Sequence, residues 1–166
     1  MMSRRNTLLG LGAFSAIAAG VRGLFGGGPA HAAAPRTHEV THTEAEWKQR
    51  LTADQFQVLR KAGTERPHTS PLNKEKRAGV FSCAGCALPL FSSKAKFESG
   101  TGWPSFYEPL SRAAVDEQSD YAFGMRRTEV LCHRCGGHLG HVFDDGPKPT
   151  GLRYCMNGVA LAFTPT

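Results

Sequence analysis

Apolar positions recur three and four residues apart between Thr43 and Gly63, and their spacing changes beyond residue 78. Trp47 and Leu51 lie four apart, and Phe56, Val58 and Leu59 gather on one side of the next segment. Both segments therefore predict short amphipathic helices. Each has its own start signal. Thr43-Glu44-Ala45-Glu46 and Thr52-Ala53-Asp54-Gln55 are capping boxes, with Glu or Gln three residues after a Thr cap. Gly63 is the expected stop of the second helix, and Trp47 is expected as a core anchor rather than a ligand contact. Residues 63–77, rich in Thr, Pro, Asn and charge, predict an ordered surface loop. From Gly79 the apolar residues fall into short runs separated by Gly and Pro. Strands are expected over 79–82, 90–91, 96–98, 113–117, 121–125, 128–131, 139–143 and 153–163. Helix does not alternate with strand here, so a Rossmann or thioredoxin fold is not expected. The pattern predicts a mainly β body of antiparallel sheets with short N-terminal helices.

The first 32 residues follow a different rule. They carry Arg4, Arg5 and Arg22, no acidic residue, and the 12-residue apolar run LLGLGAFSAIAA over Leu8–Ala19. A membrane span needs about 20 residues, so this run predicts the apolar centre of an export signal and no stable membrane anchor. Ala30-His31-Ala32 supplies the small-x-small cleavage pattern. The expected organisation is a cleavable signal over 1–32, a flexible mature N-terminus over 33–42 and one domain over 43–166. Ser3-Arg4-Arg5 resembles a twin-arginine signal, which exports folded proteins, although Thr7 stands where that pattern usually has an apolar residue. The expected location is therefore outside the cytoplasm, in a bacterial periplasm.

Removing the leader changes the charge. The 166-residue chain has 20 basic and 14 acidic residues and a formal charge of +6; three arginines leave with the leader, so the mature chain is at +3. A charge that small on a domain of this size is a solvated surface, and no nucleic-acid partner is expected.

Four of the five cysteines stand in pairs, Cys83/Cys86 and Cys132/Cys135, each after a strand-like run. A Cys-x-x-Cys turn puts two sulfurs on one side of a tight loop. Two such turns complete the tetrahedral thiolate set that zinc prefers, with no open position, so the metal is structural. The 45 residues between the pairs mean that the metal clips distant parts of one domain together. Disulfides in an oxidising compartment and redox-active dithiols are the competing readings. His133, inside the second pair, is expected to be exposed and not a ligand.

The fifth cysteine lies in GLRYCMN, residues 151–157. In a strand, Arg153, Cys155 and Asn157 share one face, with Leu152, Tyr154 and Met156 on the other. A fixed positive charge beside a thiol favours the thiolate. The competing reading is a buried structural cysteine. The turn sequence GTGWPSF sets the orientation of Trp103, which either fills the core or offers an apolar surface to a small group such as a methyl. GHLGHVF carries His138 and His141. His141 and Phe143 share a strand face, whereas His138 points oppositely unless Gly140 marks a bulge. A histidine near a reactive thiol can supply a proton. Asp145 begins a turn, with orientation of a histidine as its alternative role.

Together, CAGC with CHRC, SGTGWPSFYEP, GGHLGHVFDDGP and PTGLRYCMNGVALAF resemble the B-class peptide methionine sulfoxide reductases, from about Thr43 to Phe163. The resemblance implies an Mss4-like β fold with one structural zinc on Cys83, Cys86, Cys132 and Cys135. It implies reduction of the R epimer of methionine sulfoxide in proteins and peptides, with Cys155 as nucleophile and a cysteine sulfenic acid as intermediate. By the same resemblance His141 is the acid candidate, His138 and Asn157 hydrogen-bond the sulfoxide or an ordered water, and Arg153 favours the thiolate. Asp145 orients neighbouring polar groups, and Trp103 and Phe143 cradle the methyl group.

One position departs from the pattern. Many family members carry a cysteine where this chain has Thr101, and that cysteine resolves the sulfenic acid. With the paired cysteines on zinc, the expected reductant is an external small thiol or a thioredoxin-like partner; a monomer is expected. Two rival classes share parts of the pattern: a zinc-ribbon-like binding module, which has no need of Cys155, and a thiol–disulfide oxidoreductase, which keeps its activity without Cys155.

Overall fold

Helix α1 spans Glu44–Arg50 and α2 spans Ala53–Lys61 in the computed structural model, which describes residues 37–121 and 124–166. Both predicted capping boxes form. The Thr43 hydroxyl accepts from the Glu46 N–H at 3.3 Å while the Glu46 carboxylate accepts from the Thr43 N–H at 2.8 Å, and Thr52 and Gln55 repeat the arrangement. Each cap satisfies N–H groups that the first helical turn leaves open. The second helix stops one residue before the expected glycine. Ala62 takes the left-handed conformation at φ 52°, and Gly63 donates its N–H to the Gln57 carbonyl at 3.0 Å. A Cβ at Gly63 would lie 2.9 Å from that carbonyl oxygen, so the glycine is there for space.

Among the described residues nine strands follow: β1 Gly79–Cys83, β2 Pro89–Ser92, β3 Lys96–Phe97, β4 Ser105–Phe106, β5 Val115–Asp120, β6 Arg127–Cys132, β7 His138–Phe143, β8 Arg153–Met156 and β9 Leu161–Pro165. They form a three-stranded sheet in the order β2-β1-β9 and a six-stranded sheet in the order β3-β4-β8-β7-β6-β5. Every pairing is antiparallel. The mainly β, antiparallel expectation with short N-terminal helices holds.

Aromatic side chains join the two sheets. Phe81 of β1 and Phe91 of β2 meet Phe106 of β4, with ring centroids 5.0 and 4.4 Å apart, and Phe91 also meets Tyr154 of β8 at 5.8 Å. All three phenylalanines are fully buried; a buried side chain of this size is worth about 1.5–3 kcal/mol. Tyr154 and Met156 point into this core. Strand alternation then turns Arg153 and Cys155 to the opposite face. Trp47, Leu51, Phe56, Val58 and Leu59 are buried as well, so the helices cover a second flank of the same core.

Three details differ from the strand forecast. Strand β4 lies inside the stretch read only as a shaped turn. The run 153–163 is two strands in different sheets, because Asn157 leads into a 3-10 turn over Gly158–Ala160. The turn is held from outside the segment: the Glu65 carboxylate accepts from the N–H groups of Gly158 and Val159, the latter at 3.0 Å. Finally, strand β5 ends at Asp120. Tyr121, Gly124 and Met125 are outside any strand, and Tyr121 and Met125 are exposed, so their alternation marks the tip of the β5–β6 hairpin; residues 122–123 lie outside the described residues.

The export signal over 1–32 lies outside the described residues. Of the lead over 33–42, the described part is tied down. His38 Nδ1 is 3.0 Å from the His133 carbonyl, Val40 donates to the Arg134 carbonyl at 3.0 Å, and the His42 ring stands edge-on to Trp47 at 4.7 Å.

Candidate active site

A straight row of partners crosses the six-stranded sheet: Ser105 on β4 faces Cys155 on β8, which faces His141 on β7, which faces Glu129 on β6, which faces Gln118 on β5. Directly opposed residues on antiparallel strands share a face. The register alone therefore gathers a thiol, an imidazole and a carboxylate that lie far apart in sequence.

His138 joins the same face through a bulge. The pairing of β6 with β7 shifts between Val130 and Leu131, so that Gly140 faces Val130 while His138 faces Leu131. The histidine rings consequently stand 5.4 Å apart. Gly140 is required by close approach, since a Cβ there would run into the Cys155 carbonyl. The conditional expectation for His138 is thus met on its bulged branch.

Carboxylates behind the two histidines hold them. His138 Nδ1 is 2.6 Å from Glu129 Oε1, while Gln118 donates to the other carboxylate oxygen at 2.7 Å. This contact with His138 holds the Glu129 carboxyl below its ordinary value. His138 is 4% exposed and its Nε2 is buried with no hydrogen-bond partner, which leaves one ring nitrogen for a ligand or a water. His141 Nε2 is 2.8 Å from Asp120 Oδ2, the same oxygen that accepts from Arg127 at 2.7 Å. Burial pushes the His141 pKa below its ordinary value, against the opposing pull of Asp120. With Asp120 ionised, Nε2 carries the proton, so the other nitrogen accepts in the neutral ring and donates only in the imidazolium.

Cys155 is partly exposed and lines a cavity of about 120 Å³ with Thr64, Trp103, Arg127, Gly140, His141, Phe143 and Asn157. Trp103 is a wall of this cavity and only half-buried; its indole N–H donates to the Glu65 carbonyl at 3.1 Å. Arg153 lies over the Phe143 ring, 4.3 Å from its centroid, and grips Asp145 with two bonds of 2.8 Å. That bidentate grip fixes the guanidinium plane and holds the Asp145 carboxyl below its ordinary value. Asp145 thus orients Arg153, and the histidines are oriented by Asp120 and Glu129 instead. Asn157 is buried. Its carbonyl oxygen accepts from the Glu65 N–H at 3.0 Å and its amide donates to the Leu139 carbonyl at 3.1 Å.

The structure therefore brings together Cys155, His141, His138, Asn157, Arg153, Trp103 and Phe143, with Asp145 behind Arg153. Sequence reasoning missed Glu129, Asp120, Arg127 and Glu65. The pattern Arg127-Thr128-Glu129-Val130, with charge alternating inside a strand, is the one local signal that could have found two of them. Glu65 gave none, because its role depends on a 3-10 turn more than 90 positions later in the chain.

The paired cysteines form a second site. Both follow a strand, Cys83 ending β1 and Cys132 ending β6, and both turns close alike. The Ala87 N–H donates to the Cys83 carbonyl and the Gly136 N–H to the Cys132 carbonyl, each at 2.8 Å, with Ala87 and Gly136 left-handed at φ 59° and 65°. The four sulfurs lie within 4.8 Å of one another, with Cys83–Cys135 at 3.7 Å and Cys86–Cys132 at 3.5 Å. Tetrahedral thiolates about 2.3 Å from a zinc ion stand about 3.8 Å apart, so the set fits that ion, and the cysteines are unbridged. Thiol–thiol contact, with Cys132 foremost, pushes Cys83 up and Cys86 down. Arg60 donates to the Cys135 carbonyl at 2.9 Å, placing a cation beside the set. His133 is exposed and pairs with Asp116 at 3.2 Å. The cluster joins β1 of one sheet to β6 of the other.

Residues 51–165 match the SelR domain. The chain is 53% identical over 126 residues to a peptide methionine sulfoxide reductase MsrB from Leptospira interrogans, covering 76% of this chain and 96% of that protein. It is 56% identical over 127 residues to a protein of the same name from Pseudomonas entomophila, covering 76% and 97%. It is 53% identical over 127 residues to another from Methanosarcina mazei, covering 76% and 91%.

Proposed function

This chain belongs to the SelR-domain family, the B-class peptide methionine sulfoxide reductases, and on that premise we propose that Cys155 is the nucleophile that reduces the R epimer of methionine sulfoxide in oxidised proteins. The carrying observation is the position of the Cys155 thiol, in the cavity wall beside Trp103 and Phe143 and directly across the strands from His141.

The Cys155 thiolate attacks the sulfoxide sulfur. The sulfoxide oxygen takes a proton, passes to the cysteine sulfur, and the bond between the two sulfurs breaks. Methionine leaves, and Cys155 remains as a sulfenic acid. Two electrons move from the cysteine sulfur to the substrate sulfur. His141 supplies the proton as imidazolium or passes it from water, while the free nitrogen of His138 holds that water or the sulfoxide. Asn157 lines the same cavity. Arg153 stands on the face of β8 that carries Cys155 and brings its positive charge, oriented by Asp145, to that side of the strand. Trp103 and Phe143 receive the methyl group on apolar faces.

Thr101 occupies the position next to Cys155 at 3.7 Å and brings no thiol. A small thiol or a thioredoxin-like partner attacks the sulfenic acid, releases water and forms a mixed disulfide, which a second thiol resolves. Cys83, Cys86, Cys132 and Cys135 hold one structural zinc that secures the two sheets. Residues 1–32 are an export signal of twin-arginine type, so the protein folds and takes up zinc before it reaches the periplasm, and it works there as a monomer that repairs oxidised proteins. N-terminal sequencing of the exported protein should begin at Ala33.

The decisive test is sulfoxide reduction on both epimers, free and peptide-bound, by wild type and Cys155→Ser. R-epimer activity that disappears in the variant is the expected result. Activity retained by Cys155→Ser would return the reaction to a Cys-x-x-Cys pair. Dimedone labelling of Cys155 after one turnover without reductant is also expected; an intramolecular disulfide there would defeat the external-reductant reading.

A further inference from the structure

Three hydroxyl groups run in a line from the Trp103 carbonyl to the Cys155 sulfur. Ser105 Oγ lies 3.1 Å from the Trp103 carbonyl, Ser99 Oγ lies 2.7 Å from Ser105 Oγ, Thr101 Oγ1 lies 2.8 Å from Ser99 Oγ, and Cys155 Sγ lies 3.7 Å from Thr101 Oγ1. Ser105 is fully buried and is also the register partner of Cys155.

Each hydroxyl has one proton, and that decides the direction of the line. A carbonyl can only accept, so Ser105 gives its proton to Trp103. Ser99 must then give its proton to Ser105, and Thr101 gives its own to Ser99. Ser99 also accepts the Thr101 N–H at 3.4 Å. What remains at the end of the line is a lone pair on Thr101 Oγ1, facing the sulfur. That lone pair suits a thiol S–H or the O–H of a sulfenic acid. It does not suit a thiolate. To donate to a thiolate, either all three hydroxyls turn around and Ser105 releases the Trp103 carbonyl, or Thr101 alone turns and releases Ser99. One hydrogen bond is lost in either case.

We infer that Ser99 and Ser105 are positioning residues that act through Thr101, holding its hydroxyl as an acceptor toward the protonated forms of Cys155. The inference rests on the reading of Cys155 as the nucleophile. It gives the hydroxyl line a function in the catalytic cycle: the line opposes the thiolate before attack and receives the O–H of the sulfenic acid afterwards, while that intermediate waits for an outside thiol. No net proton transfer is involved, only reorientation of hydroxyl protons.

The charged groups that face the sulfur are separate from this line. On its own strand stands Arg153, gripped by Asp145; across β7 stands His141, backed by Asp120 and Arg127. In the stretch 98–106 the charged residue is Glu98, whose carboxylate is turned onto the Gly100 N–H. Substituting either serine leaves all of these in place.

The test follows iodoacetamide alkylation of the Cys155 peptide by mass spectrometry across pH, in the zinc-loaded full chain, for wild type, Ser99→Ala and Ser105→Ala. Removing Ser99 frees the Thr101 proton to face the sulfur. Removing Ser105 frees the Ser99 proton, and the line reverses without loss. In both variants the pH of half-maximal alkylation should fall by about 0.5–1 unit, the worth of one net hydrogen bond. A merely structural role would lower the melting temperature and leave this midpoint in place. An unchanged or raised midpoint in either folded variant overturns the inference. The readout does not use turnover, so it fails separately from the Cys155→Ser activity test.

Discussion

The five cysteines occupy two environments, and the contrast between them separates holding a fold from doing chemistry. In the cluster, four sulfurs lie within 4.8 Å of one another, inside two matching turns and under α2, and the Gly85 N–H donates to the Cys83 sulfur at 3.4 Å. None of these four cysteines lines the cavity in front of Cys155. Cys155 has the opposite surroundings: a hydroxyl, a guanidinium and an imidazole around it, and an open cavity in front. The proposed roles follow this difference: a structural ligand where the partners are alike, and a nucleophile where they are unlike and the site is open.

This contrast makes its largest claim about single substitutions. Cys155→Ser should lower sulfoxide reduction by at least about 1,000-fold with its melting temperature nearly unchanged. Cys132→Ser should do the reverse in kind, breaking the zinc set and the link between the sheets. Structural zinc binding contributes about 10–16 kcal/mol in small domains, so this variant, or wild type stripped by a strong chelator, should lose its cooperative thermal transition. A stable, folded Cys132→Ser would remove the distinction between the two environments.

The next effect lies behind the histidines. Glu129→Gln weakens the anchor of His138 without touching the cavity wall. Hydrogen bonds to charged groups are worth about 1.5–3 kcal/mol, so a loss of about 10- to 100-fold in kcat is expected. Restored activity in Glu129→Asp would support the anchoring role; equal losses in both variants would point to packing instead.

The smallest effect is on the pH dependence of stability. The folded pKa of His141 lies below its unfolded value near 6.5 because of burial, so the unfolded chain binds the proton more readily. Its contribution is complete above pH 6.5 and is lost as pH falls from there through the folded value. Glu129 is lowered from 4.5 by His138, so its contribution is lost as pH falls below 4.5. Melting temperatures should therefore decline in two stages on acidification. His141→Gln should flatten the upper stage and Glu129→Gln the lower one.

Much of this was legible in the chain. Both helices could be read from their capping boxes because a cap is a contact over three residues. The cysteine turns could be read for the same reason, and Cys155 could be set on a face with Arg153 because strand alternation is local. What escaped were Asp120, Glu129, Glu65 and the two-residue strand β4. The first two act across strands, and the third acts on a turn more than 90 residues away. The strand is too short to leave a period. The run 153–163 looked continuous because apolar residues fill it, and the break at Asn157 is imposed by the Glu65 carboxylate from another part of the chain.

The sequence by itself determined the parts: two capped helices, antiparallel strands, two Cys-x-x-Cys turns, and one thiol with a charge beside it. Each of these depends on residues a few positions apart, where covalent geometry leaves little freedom. Only the tertiary structure decided how the parts face one another. Register put Ser105, Cys155, His141 and Glu129 in one row, and a bulge brought His138 to the same side. The hydroxyl line also acquired its direction there, because hydrogen-bond polarity depends on the carbonyl at its far end.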